Sequence, residues 1–215
     1  MKQKKWMVVL VFGLFFFFGL QLHPADVGIK MGVSTVDLKL SDEIPGFTTS
    51  SRSEFTFGAF VSFDLGRFLA VQPEVNYLTK GVNGSEIDES SEWKFTYLEI
   101  PVLLKCRIPV RGNIQPGVFL GPYLGINTKS RVTEMENDTT EETDLEDFTE
   151  SLDYGLVFGG CVEYQVGFGK FILDVRYVLG LANIIKNLAV LTEGDLTDDD
   201  TVKNRTFSVM LGFCF

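Results

Sequence analysis

Hydrophobic and polar positions alternate strictly over residues 206–215. Successive side chains of a β-strand point to opposite faces, so this pattern predicts a strand with one apolar face and one small or polar face. An apolar face of this kind packs either on a protein core or against lipid, and the alternation is compatible with both. The apolar row consists of Phe207, Val209, Leu211, Phe213 and Phe215.

The same period recurs in seven earlier segments, which predicts about eight strands of about ten residues, a length that crosses a bilayer when tilted. In the first segment the phase shifts near Ser34 and Thr35, which predicts a β-bulge. Pro116 and Pro122 predict a bent or irregular fifth strand, because proline cannot donate to a ladder. The segments are residues 27–40, 55–65, 69–79, 93–106, 114–126, 154–164 and 171–180.

The connections between these segments alternate regularly between long and short. The short ones are residues 66–67, 107–113 and 165–169, and the long ones, residues 41–54, 81–92, 127–153 and 183–204, are mostly acidic. Bacterial outer-membrane barrels have an even strand number, short periplasmic turns and long outer loops. Residues 26–215 are therefore predicted to form an all-β, closed, antiparallel up-and-down transmembrane barrel of about eight strands.

The N-terminal segment has the pattern of an export signal. Lys2, Lys4 and Lys5 precede an apolar run, and Ala25 offers a small residue for cleavage. The run is slightly short for a transmembrane helix, which needs about 20 apolar residues. We expect residues 1–25 to be a cleavable signal peptide and the mature protein to lie in the outer membrane of a Gram-negative-type envelope.

The polar rows of the predicted strands contain isolated charges among Gly, Ser, Asn, Gln and Tyr, a density too low for a soluble surface. Inside a barrel of about eight strands the side chains fill the interior, so opposite charges there must pair. We therefore expect a plugged lumen, too narrow for a general porin, with an ion-pair network centred on Arg176 and Lys105. The pairing is left open among the predicted members: Glu74, Glu99, Lys105, Glu163, Asp174 and Arg176.

Two sequence features resemble known barrel families. Residues 97–105, YLEIPVLLK, followed by residues 115–125, QPGVFLGPYLG, resemble the PorT-like outer-membrane β-barrel family, some members of which are implicated in protein secretion. The alternating row that finishes on Phe215 resembles the C-terminal signature that the barrel-insertion machinery reads in outer-membrane barrels. We expect a structural or adhesive barrel, or a membrane component of a secretion or surface assembly, and the sequence leaves these roles open.

Composition argues against several other functions. The net charge of −10 is unsuited to nucleic-acid binding, which needs a basic face. His23 is the single histidine and lies in the predicted signal, which argues against a His-dependent hydrolase or zinc site. Cys106, Cys161 and Cys214 match no metal spacing and are expected to be small packing residues. We expect no enzymatic activity, catalytic residue, cofactor or metal.

Two binding functions are alternatives. A soluble lipocalin-like barrel would turn its apolar rows inward around a lipophilic ligand. The acidic loops could instead bind divalent cations, with Asp198–Asp200 and the loop around Glu141 as candidates, although neither has the spacing of a calcium motif. The expected partners are outer-membrane lipids, the insertion machinery and other envelope proteins contacted through the outer loops, with the barrel itself a monomer.

Overall fold

A computed structural model describes residues 26–40, 48–86, 89–136, 139–144, 150–183 and 202–215. The predicted signal peptide and the candidate cation ligands Asp198–Asp200 lie outside these residues. Every regular element in the described part of the chain is a β-strand. None of the described residues belongs to a helix with the length and apolar character needed to cross a membrane.

Eight of the strands form a closed antiparallel barrel, as predicted. The strands are β1 Asp26–Leu40, β2 Thr48–Asp64, β3 Leu69–Glu86, β4 Glu89–Arg107, β5 Ile114–Glu136, β6 Thr139–Asp144, β7 Leu152–Val166, β8 Gly169–Gly180 and β9 Val202–Cys214. Around the barrel the order is β1, β2, β3, β4, β5, β7, β8 and β9, with β9 pairing back to β1 and β4 pairing with β5. The short strand β6 pairs with the far end of β5 and extends the wall beyond the barrel.

The two ends of the barrel differ. We call the end with residues 65–68, 108–113 and 167–168 the turn end, and the opposite end the loop end. At the loop end the strands are longer than the apolar pattern predicts, since β3 and β4 stay paired out to Glu86 and Glu89 and β5 pairs with β6. Much of the predicted loops 81–92 and 127–153 is therefore strand. Polar residues hold a ladder there because backbone hydrogen bonds do not require an apolar face.

The predicted bulge at Ser34 and Thr35 is wrong. The register of β1 with β2 and β9 is continuous through this point, and Val36 is buried on the same face as Ser34. The register shifts instead between β2 and β3, near Ser51 to Thr56, and between β4 and β5, at Thr96 and Tyr97. The apparent change of phase in β1 arises because an apolar side chain, Val36, occupies an inward position.

The apolar rows face outward and the polar rows face inward along the described strands. Val27, Ile29, Met31 and Val33 of β1 are exposed, whereas Lys30 between them is buried. Exposed apolar side chains continue around the barrel, as a lipid-facing wall requires. This arrangement is the reverse of a lipocalin-like barrel and excludes that alternative.

Inward-facing glycines make room for large rings on neighbouring strands. A Cβ atom at Gly28 would lie 2.3 Å from Cζ of Phe60, and one at Gly159 would lie 2.7 Å from Cζ of Phe119. Phe60 and Phe119 are both buried inside the barrel. Glycine at these two positions therefore suits the narrow interior, where one strand contributes a ring and the next contributes no side chain.

Candidate functional site

Charged side chains are concentrated inside the barrel. Five cations and five carboxylates among the described residues are buried, so their formal charges cancel. Burial of charge is stable only with pairing and further hydrogen bonds. The interior supplies pairing in three layers along the barrel axis, and neutral donors add hydrogen bonds in the central layer and in the layer around Lys80. The buried charged residues are Lys30, Lys80, Lys105, Arg107, Arg176, Glu74, Glu99, Asp153, Glu163 and Asp174.

The central layer joins β1, β3 and β8. Arg176 Nη1 donates to Glu74 Oε2 at 2.8 Å, and Arg176 Nε donates to Asp174 Oδ1 at 2.8 Å. Lys30 Nζ lies 2.7 Å from Glu74 Oε1 and 3.0 Å from Asp174 Oδ2. Two cations therefore share two carboxylates in an alternating square, which neutralises every member of the layer.

Neutral groups complete the environment of the central layer. Gln72 Nε2 donates to Glu74 Oε1 at 2.7 Å, and Asn76 Nδ2 donates to Glu74 Oε2 at 3.1 Å. The two cations also lie against buried rings, Lys30 at 5.1 Å from the Phe60 centroid and Arg176 at 5.3 Å from that of Phe119. Such cation–π contacts add attraction where water is excluded.

The layer nearer the loop end is built around Lys80 and Asp153. Lys80 Nζ lies 2.6 Å from Glu99 Oε1 and 3.2 Å from Asp153 Oδ2. Tyr123 OH and Asn204 Nδ2 also donate to Asp153 Oδ2, at 3.0 Å and 2.9 Å. One cation thus faces two carboxylates, and three hydrogen-bond donors converge on a single oxygen of Asp153.

The layer nearer the turn end joins β4 to β7 and β2. Lys105 Nζ donates to Glu163 Oε1 at 2.8 Å. Arg107 Nη1 donates to Asp64 Oδ1 at 2.6 Å, and its Nε lies 3.8 Å from Glu163 Oε2. Asp64 is the most exposed carboxylate of this layer, which places the layer at the mouth of the lumen.

The six residues predicted for the lumen are all buried, but they do not form one network. Arg176 lies with Glu74 and Asp174 in the central layer, and Lys105 lies with Glu163 nearer the turn end. Glu99 belongs to the third layer, where its partner is Lys80.

Four further buried charged residues are not among those predicted for the lumen: Lys30, Lys80, Arg107 and Asp153. Lys80, Arg107 and Asp153 fall just beyond the predicted strand limits, where the apolar alternation stops. Extending the period-two count by one or two residues would have placed them on the inner face. Lys30 lies within the predicted first strand, on the row of small residues. This position alone identifies it as an inward-facing charge.

The apolar row of β9 lies on the outside of the barrel. Phe207, Val209, Leu211 and Phe215 are exposed, and Phe213 packs edge-on against Phe171 and Phe215 with centroid distances of 5.0 Å and 5.1 Å. This aromatic group lies at the turn end, beside Lys170, which pairs with Asp26.

The two segments YLEIPVLLK and QPGVFLGPYLG lie side by side on β4 and β5. Glu99 is opposite Gly125 and Pro101 is opposite Tyr123. A Cβ atom at Gly121 would lie 1.9 Å from the carbonyl oxygen of Val102, so the close approach of the two strands requires glycine there. The two motifs therefore form one packed unit of the wall.

The cysteines and acidic residues of the described chain form no metal-binding group of three or more His, Cys, Asp or Glu side chains. Cys161 and Cys214 are buried, Cys106 is exposed, and all three thiols are free. Of the candidate cation loops, only the backbone around Glu141 is described, as part of β6.

Comparisons with known proteins agree with this geometry. A family model described as "Outer membrane protein beta-barrel domain" matches residues 20–186. No curated protein gives a match.

Solved structures of similar fold include Ail of Yersinia pestis (14% identity, TM-score 0.44, covering 90% of this chain and 100% of Ail). Neisserial surface protein A is 13% identical, with a TM-score of 0.47 and coverage of 89% of this chain and 98% of that protein. Outer membrane protein AlkL is 16% identical, with a TM-score of 0.47 and coverage of 92% and 93%.

Proposed function

The chain belongs to the outer membrane protein β-barrel domain family, and we propose that it is a non-conducting outer-membrane barrel that presents its loop end as a structural or adhesive surface. The turn end then faces the periplasm and the loop end faces outward, as in other bacterial barrels. In this orientation the chain is either an adhesin or a membrane component of a secretion or surface assembly.

The observation that carries the proposal is the paired lumen. The central layer links β1, β3 and β8 through Lys30, Glu74, Asp174 and Arg176, and β3 and β8 stand four strands apart around the barrel of eight. Rings of Phe60 and Phe119 fill the same level. A plug of this kind leaves no water-filled path, since each cation would have to leave two carboxylates before the lumen opened.

Conductance in planar bilayers tests the closed lumen. We expect the reconstituted barrel to show no steady conductance under conditions in which a general porin, inserted as the positive control, conducts. Heat-modifiable gel mobility of the same sample establishes that the barrel is folded. Steady, ion-selective channels from the folded sample would reject the plug.

The surface role is supported by the loop end, where β2 to β6 form paired strands beyond the apolar wall. The sequence there is acidic, including Glu86, Glu89, Glu134 and Glu136. Replacing residues 139–144 by a short Gly-Ser linker should leave heat-modifiability intact. If the barrel is an adhesin, the replacement should reduce attachment of cells that display it. If the barrel belongs to an assembly, the replacement should reduce its crosslinking to the neighbouring envelope protein. Unchanged attachment and unchanged crosslinking together would exclude the surface role of this segment.

We also propose the narrower relationship to PorT-like barrels, which rests on the packed unit of β4 and β5. The proposal assigns no catalytic step, because the buried charged groups of the described chain already lie in ion pairs. The barrel is proposed to act as a monomer in contact with outer-membrane lipids.

The outward row of β9 is the proposed recognition segment for the insertion machinery. Phe215→Ala should lower the yield of assembled barrel in cells, because the machinery would read a weaker aromatic signal. The same variant, refolded in detergent, should unfold close to the parent protein, since Phe215 is largely exposed. Equal losses in both measurements would mean a packing role instead.

A further inference from the structure

We propose that the turn end binds anionic phospholipid headgroups, which Arg67 and Arg111 recognise above an apolar rim. The inference rests on the proposed orientation, in which the turn end lies at the periplasmic leaflet.

The turns are apolar although they lie outside the strands. Phe68, Ile108, Val110 and Phe168 are exposed by 45%, 46%, 49% and 76% of their surface. They continue the apolar wall formed by Leu69 and Ile114 at the starts of β3 and β5. A soluble periplasmic surface would not expose this many large apolar side chains, so the rim fits the headgroup and upper acyl region of a bilayer.

Two guanidinium groups lie in this rim without a carboxylate partner among the described residues. Arg67 lies 5.8 Å from the ring centroid of Phe68, and Arg111 is exposed between Val110 and Gly112. Neither makes an ion pair with any residue that the structure describes, whereas Arg107 pairs with Asp64 and Lys170 pairs with Asp26. Unpaired guanidinium groups beside apolar surface are suited to phosphate, which they bind through two parallel hydrogen bonds.

The difference in charge between the two ends of the barrel favours an anionic ligand at the turn end. Residues 65–68, 108–113 and 167–168 contain no Asp or Glu, so nothing in the turns themselves opposes an anion. The chain at the loop end carries acidic residues on β3, β4 and β5, which repel anionic headgroups. An anionic lipid is therefore attracted at one end of the barrel and repelled at the other.

An acidic soluble protein could also meet these arginines, but the rim favours lipid. Phe68 adjoins Arg67 and Val110 adjoins Arg111 in sequence, so a ligand of the arginines also meets these apolar side chains. A phospholipid carries both a phosphate for the arginines and acyl chains for the apolar side chains, and it presents them in that order along the barrel axis.

The test measures lipid selectivity of the folded barrel in vesicles of phosphatidylcholine. Spin-labelled phosphatidylglycerol and spin-labelled phosphatidylcholine are compared for the fraction immobilised at the barrel surface. We expect the parent protein to favour phosphatidylglycerol. R67Q/R111Q should lose about threefold or more of that preference, since one basic residue near an anionic surface contributes about a fivefold factor. Added salt should lower the preference of the parent protein and change that of R67Q/R111Q much less.

The matched control removes two cations from the loop end, K129Q/R205Q, and should keep the parent selectivity. Unchanged selectivity in R67Q/R111Q, equal loss in both double variants, or no preference in the parent protein would each overturn the proposal. Heat-modifiability confirms that each variant is folded. A barrel that conducts would reject the proposed plug and leave the lipid measurement intact, so the two failures are distinguishable.

Discussion

The guanidinium of Arg176 on β8 donates to the carboxylate of Glu74 on β3, and these strands stand on opposite walls of the barrel. The contact is 2.8 Å long and both side chains are buried. The pair therefore braces the barrel across its full width, in addition to the hydrogen bonds between neighbouring strands.

Arg176→Met should lower the free energy of unfolding by about 3–5 kcal/mol, the cost of leaving buried charge without its partner. In this variant Lys30 remains as the cation of the central layer and faces both Glu74 and Asp174. Urea unfolding of the barrel in detergent micelles measures the change. Lys129→Met, at an exposed position, is the control and should leave stability nearly unchanged. Equal stability of the two variants would show that the Arg176–Glu74 pair does not stabilise the barrel.

Lys80→Met should be more destabilising than Asp153→Asn. The first change leaves Glu99 and Asp153 without their cation and is expected to cost about 3–5 kcal/mol. The second keeps the Lys80–Glu99 pair and an amide oxygen for Tyr123 and Asn204, so its cost is expected to be about 1–2 kcal/mol. The same urea titration ranks the two variants, and the opposite order would show that Lys80 does not organise this layer.

Gly159→Ala and Gly160→Ala are adjacent and should differ. The added Cβ atom at Gly159 would lie 2.3 Å from the carbonyl oxygen of Val175 and 2.7 Å from Phe119, which predicts a loss of about 1–3 kcal/mol by overpacking. At Gly160 its nearest neighbour is 3.5 Å away, an ordinary contact. Thermal unfolding monitored by gel mobility separates the two, and Phe119→Leu should partly restore Gly159→Ala. Equal effects would argue against a ring-filled lumen.

Val209→Arg should cost about 2–4 kcal/mol in vesicles, because it puts a charge on the lipid face near the middle of β9. Ile108→Arg, in a turn, should cost about 0–1 kcal/mol. Refolding into vesicles followed by urea unfolding gives both values. A small cost at Val209 would mean that this row does not meet hydrocarbon.

The closed barrel and the faces of its strands could be predicted from the sequence because lipid imposes a strict rule on every second residue. Phe207, Val209 and Leu211 obey it on β9, and Val27 and Ile29 obey it on β1. The rule does not apply to the parts of the strands that lie beyond the bilayer. The extension of β3 and β4 to Glu86 and Glu89 is held by backbone pairing of polar residues, which leaves no apolar signal.

The partners of the buried charges could not be predicted, because pairing depends on how far each strand is shifted relative to its neighbours. Lys80 is one residue beyond the predicted third strand, and its partner Asp153 lies in a predicted loop. Val36 shows the converse error, since an apolar side chain on the inner face mimics a change of phase. Period-two counting predicts the face of a residue but not its height along the barrel axis.

The long-range ion pairs of the central layer constrain the order in which the barrel folds. Lys30 and Asp174 are 144 residues apart, and Glu74 and Arg176 are 102 residues apart. These contacts cannot form until β8 has reached the early strands, so they are late events that carry a large closure entropy. Until then Glu74 on β3 can pair with Lys30 on β1 but lacks Arg176, and Lys30 lacks its second carboxylate, Asp174. The polar row therefore leaves water at the same time as the sheet closes. A sheet that has not yet closed stays at the water interface until its last strands arrive.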